Sequence, residues 1–179
     1  MSIEHEINNC INTLRAGGII IFPGETGWMI GCDVNNTEAV ENILNLDTVE
    51  FPATLLDDSG KLTRYVKEIP DIIWDLIEFS KKPLHIILEK VVNIPSVLIH
   101  FDESTFSIVK DPFSLNLIHK FGKPVFAAVF TDQNHPSKQT IILNKPGYVV
   151  NLRVSSKANT ENLVLLKLSP SGKIEFIKK

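Results

Sequence analysis

A continuous apolar run that leads into a proline and two glycines constrains the fold of this chain more than any other segment. The run extends from Gly18 to Phe22. The residues that follow it are Pro23, Gly24, Glu25, Thr26 and Gly27. Because apolar residues do not alternate with polar ones, the run predicts a strand buried on both faces. Proline donates no N–H, so we expect the strand to end at Pro23 and to enter a polar, glycine-bearing loop that a ligand can approach.

The composition is that of an ordinary globular domain. The 179 residues are 44% hydrophobic and 22% charged, with a net charge of −3, so we expect one domain over residues 1–179 with a substantial core. No apolar run approaches the ~20 residues of a membrane span, and the amino terminus is polar and acidic. No membrane contact and a cytoplasmic location are therefore expected. Cys10 and Cys32 are expected to be buried, reduced thiols.

Apolar spacing and cap residues predict both helices and strands. Helices are predicted at 3–14, 37–45, 62–66, 71–79 and 112–122. Strands are predicted at 19–22, 53–56, 84–88, 97–101, 106–109, 125–130, 141–143, 148–154, 163–168 and 174–177, with a polar loop at 132–137. The two classes mix without strict alternation. This order predicts an α/β domain with a twisted, partly parallel sheet rather than a regular doubly wound one.

The segment from Phe22 to Asp33 carries a resemblance to a known family. Its pattern is similar to Pro-Thr-Glu-Thr-Val-Tyr-Gly-Leu-Gly, the signature of the YrdC family of threonylcarbamoyl-AMP synthases. The matching residues are Pro23, Glu25, Thr26 and Gly31, the similar ones are Trp28 and Ile30, and the differing ones are Gly24, Gly27 and Met29. Segments 11–18, 36–44, 79–88 and 112–125 also resemble the family in order, so the resemblance covers nearly the whole chain.

The resemblance implies a concave ligand cleft between sheet and helices. Enzymes of the family join threonine, bicarbonate and ATP into threonylcarbamoyl-AMP and release pyrophosphate, and the product serves transfer RNA modification. If the activity is retained, the expected cofactor is ATP with magnesium; if it is not, no cofactor is assigned. The expected partners are threonine and RNA or a nucleotide. The predicted substrate-binding residues are Pro23, Glu25, Thr26, Trp28, His85 and Thr131. No catalytic residue is assigned.

The sequence departs from the family where a polyphosphate has to be bound. The family uses a Lys-x-Arg-x-x-x-Lys-Pro segment after its second helix, whereas residues 46–52 here contain Asp47 and Glu50 and no base. The family's Ser-Ala-Asn motif aligns with residues 129–131, its Arg-Val-Pro arginine with Ser107 and its Pro-Leu-Thr threonine with His85. A carboxy-terminal Ser-Thr pair aligns with residues 161–162. Polar and cationic groups are thus replaced while the apolar positions persist.

Simpler structural roles exist for each candidate residue. Thr26 can bond the backbone of its own loop, Trp28 can pack in the core, and His85 lies within an apolar strand. The five histidines show none of the close spacings typical of metal ligands, so no metal site is predicted. Asp57 and Asp58 are typical of residues that cap the start of a helix, so they do not indicate a metal-binding pair.

Three hypotheses follow. The first is a YrdC-like protein that binds RNA or a nucleotide and has lost or weakened its synthase activity. The second is an active synthase in which Lys61, Lys81 or Lys82 supplies the missing bases. The third is a non-catalytic protein-interaction domain. RNA binding through phosphates would weaken steeply with added salt.

Overall fold

The computed structural model describes residues 2–131, 147–152 and 160–179, and within these ranges the strands form one mixed sheet. The helices are α1 (Ile3–Arg15), α2 (Thr37–Leu44), α3 (Ile72–Phe79) and α4 (Pro112–Phe121). The strands are β1 (Ile19–Gly24), β2 (Gly27–Asp33), β3 (Val49–Leu56), β4 (Leu84–Glu89), β5 (Glu103–Ile108), β6 (Val125–Phe130), β7 (Gly147–Val149), β8 (Val164–Leu168) and β9 (Ile174–Lys178). The expected α/β fold with a partly parallel sheet is confirmed.

The sheet order places sequence-distant strands side by side. The order is β7-β1-β2-β6-β3-β5-β4-β8-β9. The pairs β1–β7, β3–β5 and β4–β8 are parallel, and the other pairs are antiparallel. Because β5 lies between β3 and β4, three segments that are separate in sequence meet at one place. That meeting point carries the candidate site.

Two hydrophobic clusters pack against the sheet. The larger contains α1, α2, α4 and strands β1, β2 and β6, with every residue of β6 buried. The smaller one contains α3, β4 and β8. The predicted stripe of α1 is confirmed at Ile7, Cys10, Ile11 and Leu14, and Cys32 is buried as expected, whereas Ile3 is exposed.

A buried carboxylate on α1 was not anticipated from the sequence. Glu6 is completely buried, and its Oε2 accepts hydrogen bonds from the Tyr148 hydroxyl at 2.7 Å and from the Asn151 N–H at 2.9 Å. Tyr148 also accepts a bond from the Asn9 side chain. A buried charge is tolerated only where hydrogen bonds replace its water. Glu6 therefore attaches the segment 147–152, which contains β7, to the first helix.

Four sequence predictions are corrected. The run 97–101 was predicted as a strand, but Ser96–Leu98 forms a 3₁₀ helix after Pro95, and only His100 makes a β-bridge, to Glu103, because β5 already has β3 and β4 as neighbours. The 62–66 helix is instead the 3₁₀ helix Ser59–Arg64, which is closed by i to i+3 bonds as short helical segments often are. Tyr148–Val154 contributes only β7, and residues 153–154 lie outside the described ranges, as do the predicted loop 132–137 and strand 141–143.

The fourth correction concerns Pro23, which does not end its strand. β1 continues through Pro23 to Gly24, and Gly27 begins β2, so the polar loop is a hairpin turn of two residues. Strand β7 pairs with β1 only as far as Ile21, so β1 has one neighbour from there onward. A residue without an N–H is tolerated at such an edge position.

None of the described helices has the length and the apolar character required to cross a membrane.

Candidate ligand cleft

The hairpin turn between β1 and β2 presents Glu25 and Thr26 to the rest of the sheet. Gly24 pairs with Gly27 across the turn, and Gly27 has φ +119°, a conformation that L side chains rarely adopt. The glycine at 27 is therefore required by the turn itself. Thr26 is buried, with an exposed fraction of 2%, and Glu25 is half-buried.

A small cavity, which we name the turn cavity, lies directly beneath this turn. It has a volume of about 10 Å³, the room of one water molecule. Its lining residues are Glu25, Thr26, Met29, Leu55, Pro83, His85, Ser107, Val109, Asp111 and Ser114. His85 pairs with Ser107 in the β4–β5 register, so both side chains leave the same face of the sheet. The turn cavity thus joins the hairpin, three strands and the start of α4.

Four buried polar atoms of the turn cavity have no hydrogen-bond partner among the described residues. They are Thr26 Oγ1, His85 Nδ1, Asp111 Oδ1 and Ser114 Oγ. Buried polar atoms are nearly always bonded, and each unpaired one costs about 1 to 3 kcal/mol. A cluster of four at one cavity is the pattern of a site for a water molecule or a small polar group of a ligand, which bonds several partners at once.

The electrostatics of the turn cavity are those of an acidic site. Burial raises the pKa of Glu25, the nearby Asp111 raises it further, and Lys110 opposes the shift. Burial also raises the pKa of Asp111, although its Oδ2 caps α4 by accepting the Ser114 N–H at 2.9 Å. The Lys110 ammonium group is already hydrogen-bonded, because its Nζ donates to the carbonyls of Ile77 and Ser80 at 2.6 and 2.8 Å. Two carboxyls line the turn cavity, and the lysines nearest to them, Lys110 and Lys82, line a separate narrow cavity with Glu25.

His85 is neutral at physiological pH because it is buried. Its side chain is 3% exposed, and burial lowers the pKa of the imidazole from 6.5 to about 4. A buried imidazole without a carboxylate partner gains nothing from a proton. His85 thus offers a neutral ring nitrogen to the turn cavity, as donor or acceptor depending on the tautomer.

Acid sensitivity of folding is the expected consequence at His85. The unfolded chain takes up a proton at this residue below pH 6.5, whereas the folded chain does so only near pH 4. The stabilisation is therefore complete above pH 6.5 and falls as the pH drops from 6.5 to 4, by on the order of 3 kcal/mol. Urea unfolding of the wild type and of His85→Gln across this range measures it. The difference between the two proteins is expected to change with pH.

The comparison has a matched control in His5→Gln, since His5 is exposed on α1. Glu25 and Asp111 titrate in the wild type and in both variants, so their contribution cancels in the differences. A His85→Gln difference that stays constant between pH 7 and pH 4 would contradict the buried neutral imidazole.

A second, larger cavity, which we name the sheet cavity, lies farther along strands β3, β4 and β5. It has a volume of about 270 Å³. Its lining residues are Leu44, Pro52, Ala53, Thr54, Ile87, Val97, Leu98, His100, Phe101, Glu103, Ser104, Thr105 and Phe126. Ile87 pairs with Thr105 two positions along from the His85–Ser107 pair, so the two cavities follow one another along β4 and β5. We refer to the two cavities together as the cleft.

The segment 46–52, where the family pattern has bases, borders the sheet cavity. Glu50 lies on β3 opposite Val129, Phe51 has φ +52°, and Pro52 lines the cavity. One cation does reach this segment from the far end of the chain: Lys178 Nζ lies 5.9 Å from the centre of the Phe51 ring. The same Nζ donates to the carbonyls of Glu161 and Leu163. Sequence alignment with a local motif cannot find such a base, because it comes from β9.

One lysine beside the sheet cavity is paired with two carboxylates. Lys167 forms ion pairs with Glu103 and with Glu89, the latter at 3.5 Å. The register places these three residues together, since Ile87 pairs with Lys167 and Glu89 pairs with Glu103. Lys167 is therefore committed to two carboxylates of the sheet.

The other predicted site residues lie away from the two cavities. Pro23 is buried in β1 opposite Trp28, and Trp28 is part of the larger hydrophobic cluster. Thr131 is exposed at the end of β6, and both its N–H and its hydroxyl donate to the carbonyl of Thr48. Their roles in substrate binding stay predictions. Of the six predicted residues, the structure brings Glu25, Thr26 and His85 together.

Asp111, Ser114 and Thr54 were missed by the sequence analysis. For Asp111 and Ser114 a signal existed, because Asp-Pro-x-Ser before an apolar stretch is typical of a helix cap with proline at the first position. Asp111 caps α4 in this way. For Thr54 no local signal distinguishes a strand residue that faces a cavity from one that faces the core.

Within the described residues, no three His, Cys, Asp or Glu side chains are grouped so as to hold a metal ion.

The fold defines the class of this protein: an α/β domain built on one mixed sheet, with two neighbouring cavities along strands β3, β4 and β5. The Sua5/YciO/YrdC family model, described as "Telomere recombination", matches residues 12–156. The chain belongs to the Sua5/YciO/YrdC family.

Relatives and solved structures agree with this assignment. The threonylcarbamoyl-AMP synthase of Pseudoalteromonas translucida is 29% identical over 149 residues, which cover 79% of this chain and 78% of that protein. YciO of E. coli superposes with a TM-score of 0.77 at 16% identity, over 98% of this chain and 89% of the other. Sua5 of P. abyssi, complexed with L-threonine, gives 0.71 at 17% identity, over 94% of this chain and 52% of the other. At such low identities, the two structural matches show a common fold and not a common activity.

Proposed function

We propose that this chain is a ligand-binding member of the family in which threonylcarbamoyl-AMP synthesis is lost or strongly weakened. The observation that carries the proposal is the charge of the cleft. Glu25 and Asp111 line the turn cavity, and no Lys or Arg is among the residues that line either the turn cavity or the sheet cavity. These surfaces do not fit a polyphosphate, which needs fixed cations and donors around its oxygens.

The size of the missing phosphate interactions favours a loss of synthase activity over a small change in it. A hydrogen bond to a charged group contributes about 1.5 to 3 kcal/mol, so three missing bases cost roughly 5 to 9 kcal/mol if their contributions add. The cations near the cleft are already engaged, Lys167 with two carboxylates and Lys178 with two carbonyls. Lys167 therefore offers a phosphate little net positive charge, and Lys178 keeps one of its three N–H donors.

Binding of ATP with magnesium tests the proposal directly. We expect isothermal titration of the protein with ATP and Mg²⁺, with and without threonine, to give no saturable heat in the micromolar range. The synthase of P. translucida serves as the positive control under the same conditions. Micromolar affinity for ATP in this protein would overturn the proposal.

A second candidate function, an active synthase with a rearranged basic site, is favoured by one observation. Lys82 lines a narrow cavity of about 10 Å³ beneath α3 together with Glu25 and Lys110. Lys61 does not join it, because Lys61 pairs with Asp57 and lines a different pocket with Arg64 and Lys123. Under this second hypothesis, the Lys82 side chain moves from the narrow cavity toward the hairpin turn between β1 and β2. The titration with ATP and Mg²⁺ then gives saturable binding.

RNA binding outside the two cavities remains part of the proposal on the strength of the family resemblance. The feature that supports a phosphate contact is the pocket of about 150 Å³ that Lys61, Arg64 and Lys123 line. Lys61 and Lys123 are paired there with Asp57 and Asp33. The third hypothesis, a domain without a ligand, is the least supported, because the cleft contains an open cavity rather than a flat surface.

A further inference from the structure

The turn that leads into β5 holds an aromatic side chain in an unfavourable conformation beside the sheet cavity. His100 and Glu103 exchange two backbone hydrogen bonds of 2.9 Å, so Phe101 and Asp102 form a two-residue turn. Their φ values are +49° and +67°. Turns with two positive φ values normally contain Asn and Gly, and a bulky side chain there is a genuine outlier. Such strain persists where the surrounding structure or a function maintains it.

Nothing in the protein's own packing explains the phenylalanine at this turn. The Phe101 side chain is 99% exposed, although it lines the rim of the sheet cavity. A glycine or asparagine would form the same turn without strain and without placing an aromatic ring in water. An exposed ring in a strained turn at the rim of a cavity is a feature that a ligand contact would explain.

The cavity below the ring has apolar walls and one unsatisfied hydroxyl. Leu44, Pro52, Leu98 and Phe126 contribute apolar surface. Thr54 is 1% exposed, lines the cavity, and its Oγ1 has no hydrogen-bond partner among the described residues. Apolar walls with a few placed polar groups are the usual composition of a small-molecule site. The volume of about 270 Å³ suits one small ring system.

The charges around the cavity decide which kind of ring it suits. The titratable groups that line it are His100 and Glu103, and Glu103 is paired with Lys167. No cation lines it to receive a phosphate or a carboxylate. We propose that the sheet cavity binds a small, uncharged heteroaromatic molecule, with Thr54 hydrogen-bonding to a ring nitrogen and Phe101 closing over the face of the ring. This inference rests on the proposed function only in that both concern the same cleft.

Two probe molecules that differ by one ring nitrogen test the assignment. Indole and 7-azaindole have nearly the same shape, but only 7-azaindole carries an acceptor nitrogen for the Thr54 hydroxyl. We expect ligand-observed NMR titration to give saturable binding of both, with 7-azaindole at least threefold tighter. Thr54→Val keeps the shape of the side chain and removes its hydroxyl. In this variant we expect indole still to bind and the preference for 7-azaindole over indole to vanish.

The role of Phe101 is tested by a variant in which stability and binding move in opposite directions. Phe101→Gly relieves the strained turn, so we expect a higher melting temperature together with about tenfold weaker binding of 7-azaindole. Phe79→Ala is the matched control, because Phe79 is 71% exposed on α3 and does not line the sheet cavity. It is expected to leave binding unchanged.

The outcomes separate this inference from the proposed function. Absence of saturable binding up to millimolar probe, or binding that is indifferent to Phe101→Gly, overturns the inference. The proposed function then still stands if ATP does not bind. Binding of 7-azaindole that depends on Phe101 and Thr54, in a protein that also turns over ATP, supports the inference and overturns the proposed function instead.

Discussion

Pyrophosphate release from ATP in the presence of Mg²⁺, threonine and bicarbonate is expected to be at least about a thousandfold slower with this protein than with the synthase of P. translucida. The missing bases remove roughly 5 kcal/mol or more of charge-assisted stabilisation, and about 1.4 kcal/mol corresponds to a factor of ten. Charge that develops on the phosphates during the reaction has to be met by fixed cations, and carboxylates at the same place raise the barrier. A coupled pyrophosphate assay measures the rate.

A charge reversal within the cleft distinguishes this cause from a general loss of function. Glu50 lies on β3 within the segment where the family pattern has bases, so we expect Glu50→Lys to raise ATP affinity by about tenfold, the value of one charge-assisted contact. Glu175→Lys makes the same charge change on β9, at an exposed position, and is expected to have little effect. Turnover of the unmodified protein within tenfold of the synthase would show that other groups replace the bases.

Truncation of Phe22 is expected to lower the free energy of unfolding by about 3 to 5 kcal/mol, the usual cost of Phe→Ala in a core. Phe22 is completely buried in β1, and its ring stacks on that of Phe113 in α4 with centroids 6.4 Å apart. The lost ring leaves a cavity that strands on both sides cannot fill by collapsing. Urea unfolding followed by circular dichroism gives the value.

The control for Phe22 is another phenylalanine in a strand. Phe176→Ala removes the same atoms from β9, where the side chain is 51% exposed, and is expected to cost less than about 1 kcal/mol. Since Phe113 is next to the residues that cap α4, Phe22→Ala is also expected to disturb Asp111 and Ser114 at the turn cavity. Equal destabilisation by the two substitutions would contradict the assignment of the core.

Elements defined by local patterns were predicted closely from the sequence. The apolar stripe of α1, the proline and glycine that bound α4, and the continuous apolar run of β6 each signal one structure within a short window. The carboxy-terminal hairpin of β8 and β9 was predicted on the same grounds. In these segments the local preference and the packed fold agree, so the pattern alone is sufficient.

The predictions failed where an element depends on its neighbours. The run 97–101 has strand-like composition, but β5 is already flanked by β3 and β4, so the run forms only the His100–Glu103 bridge. The proline at 23 is tolerated because β7 stops short of it. Glu6 was missed for the same reason, since its hydrogen-bond partners lie about 140 residues away in sequence. A pattern within one segment carries no information about a partner so distant.

The sequence by itself determined the α/β class, the family, the hairpin residues Glu25 and Thr26, and the absence of bases between residues 46 and 52. Only the tertiary structure decided that His85 and Ser107 face these residues, that Asp111 and Ser114 complete the turn cavity, and that Phe101 lies at the rim of the sheet cavity. The reason is physical: side-chain chemistry and local spacing are written in the chain. Which groups share one buried, low-dielectric space depends on strand order and register, and these are set by the packing of the whole sheet.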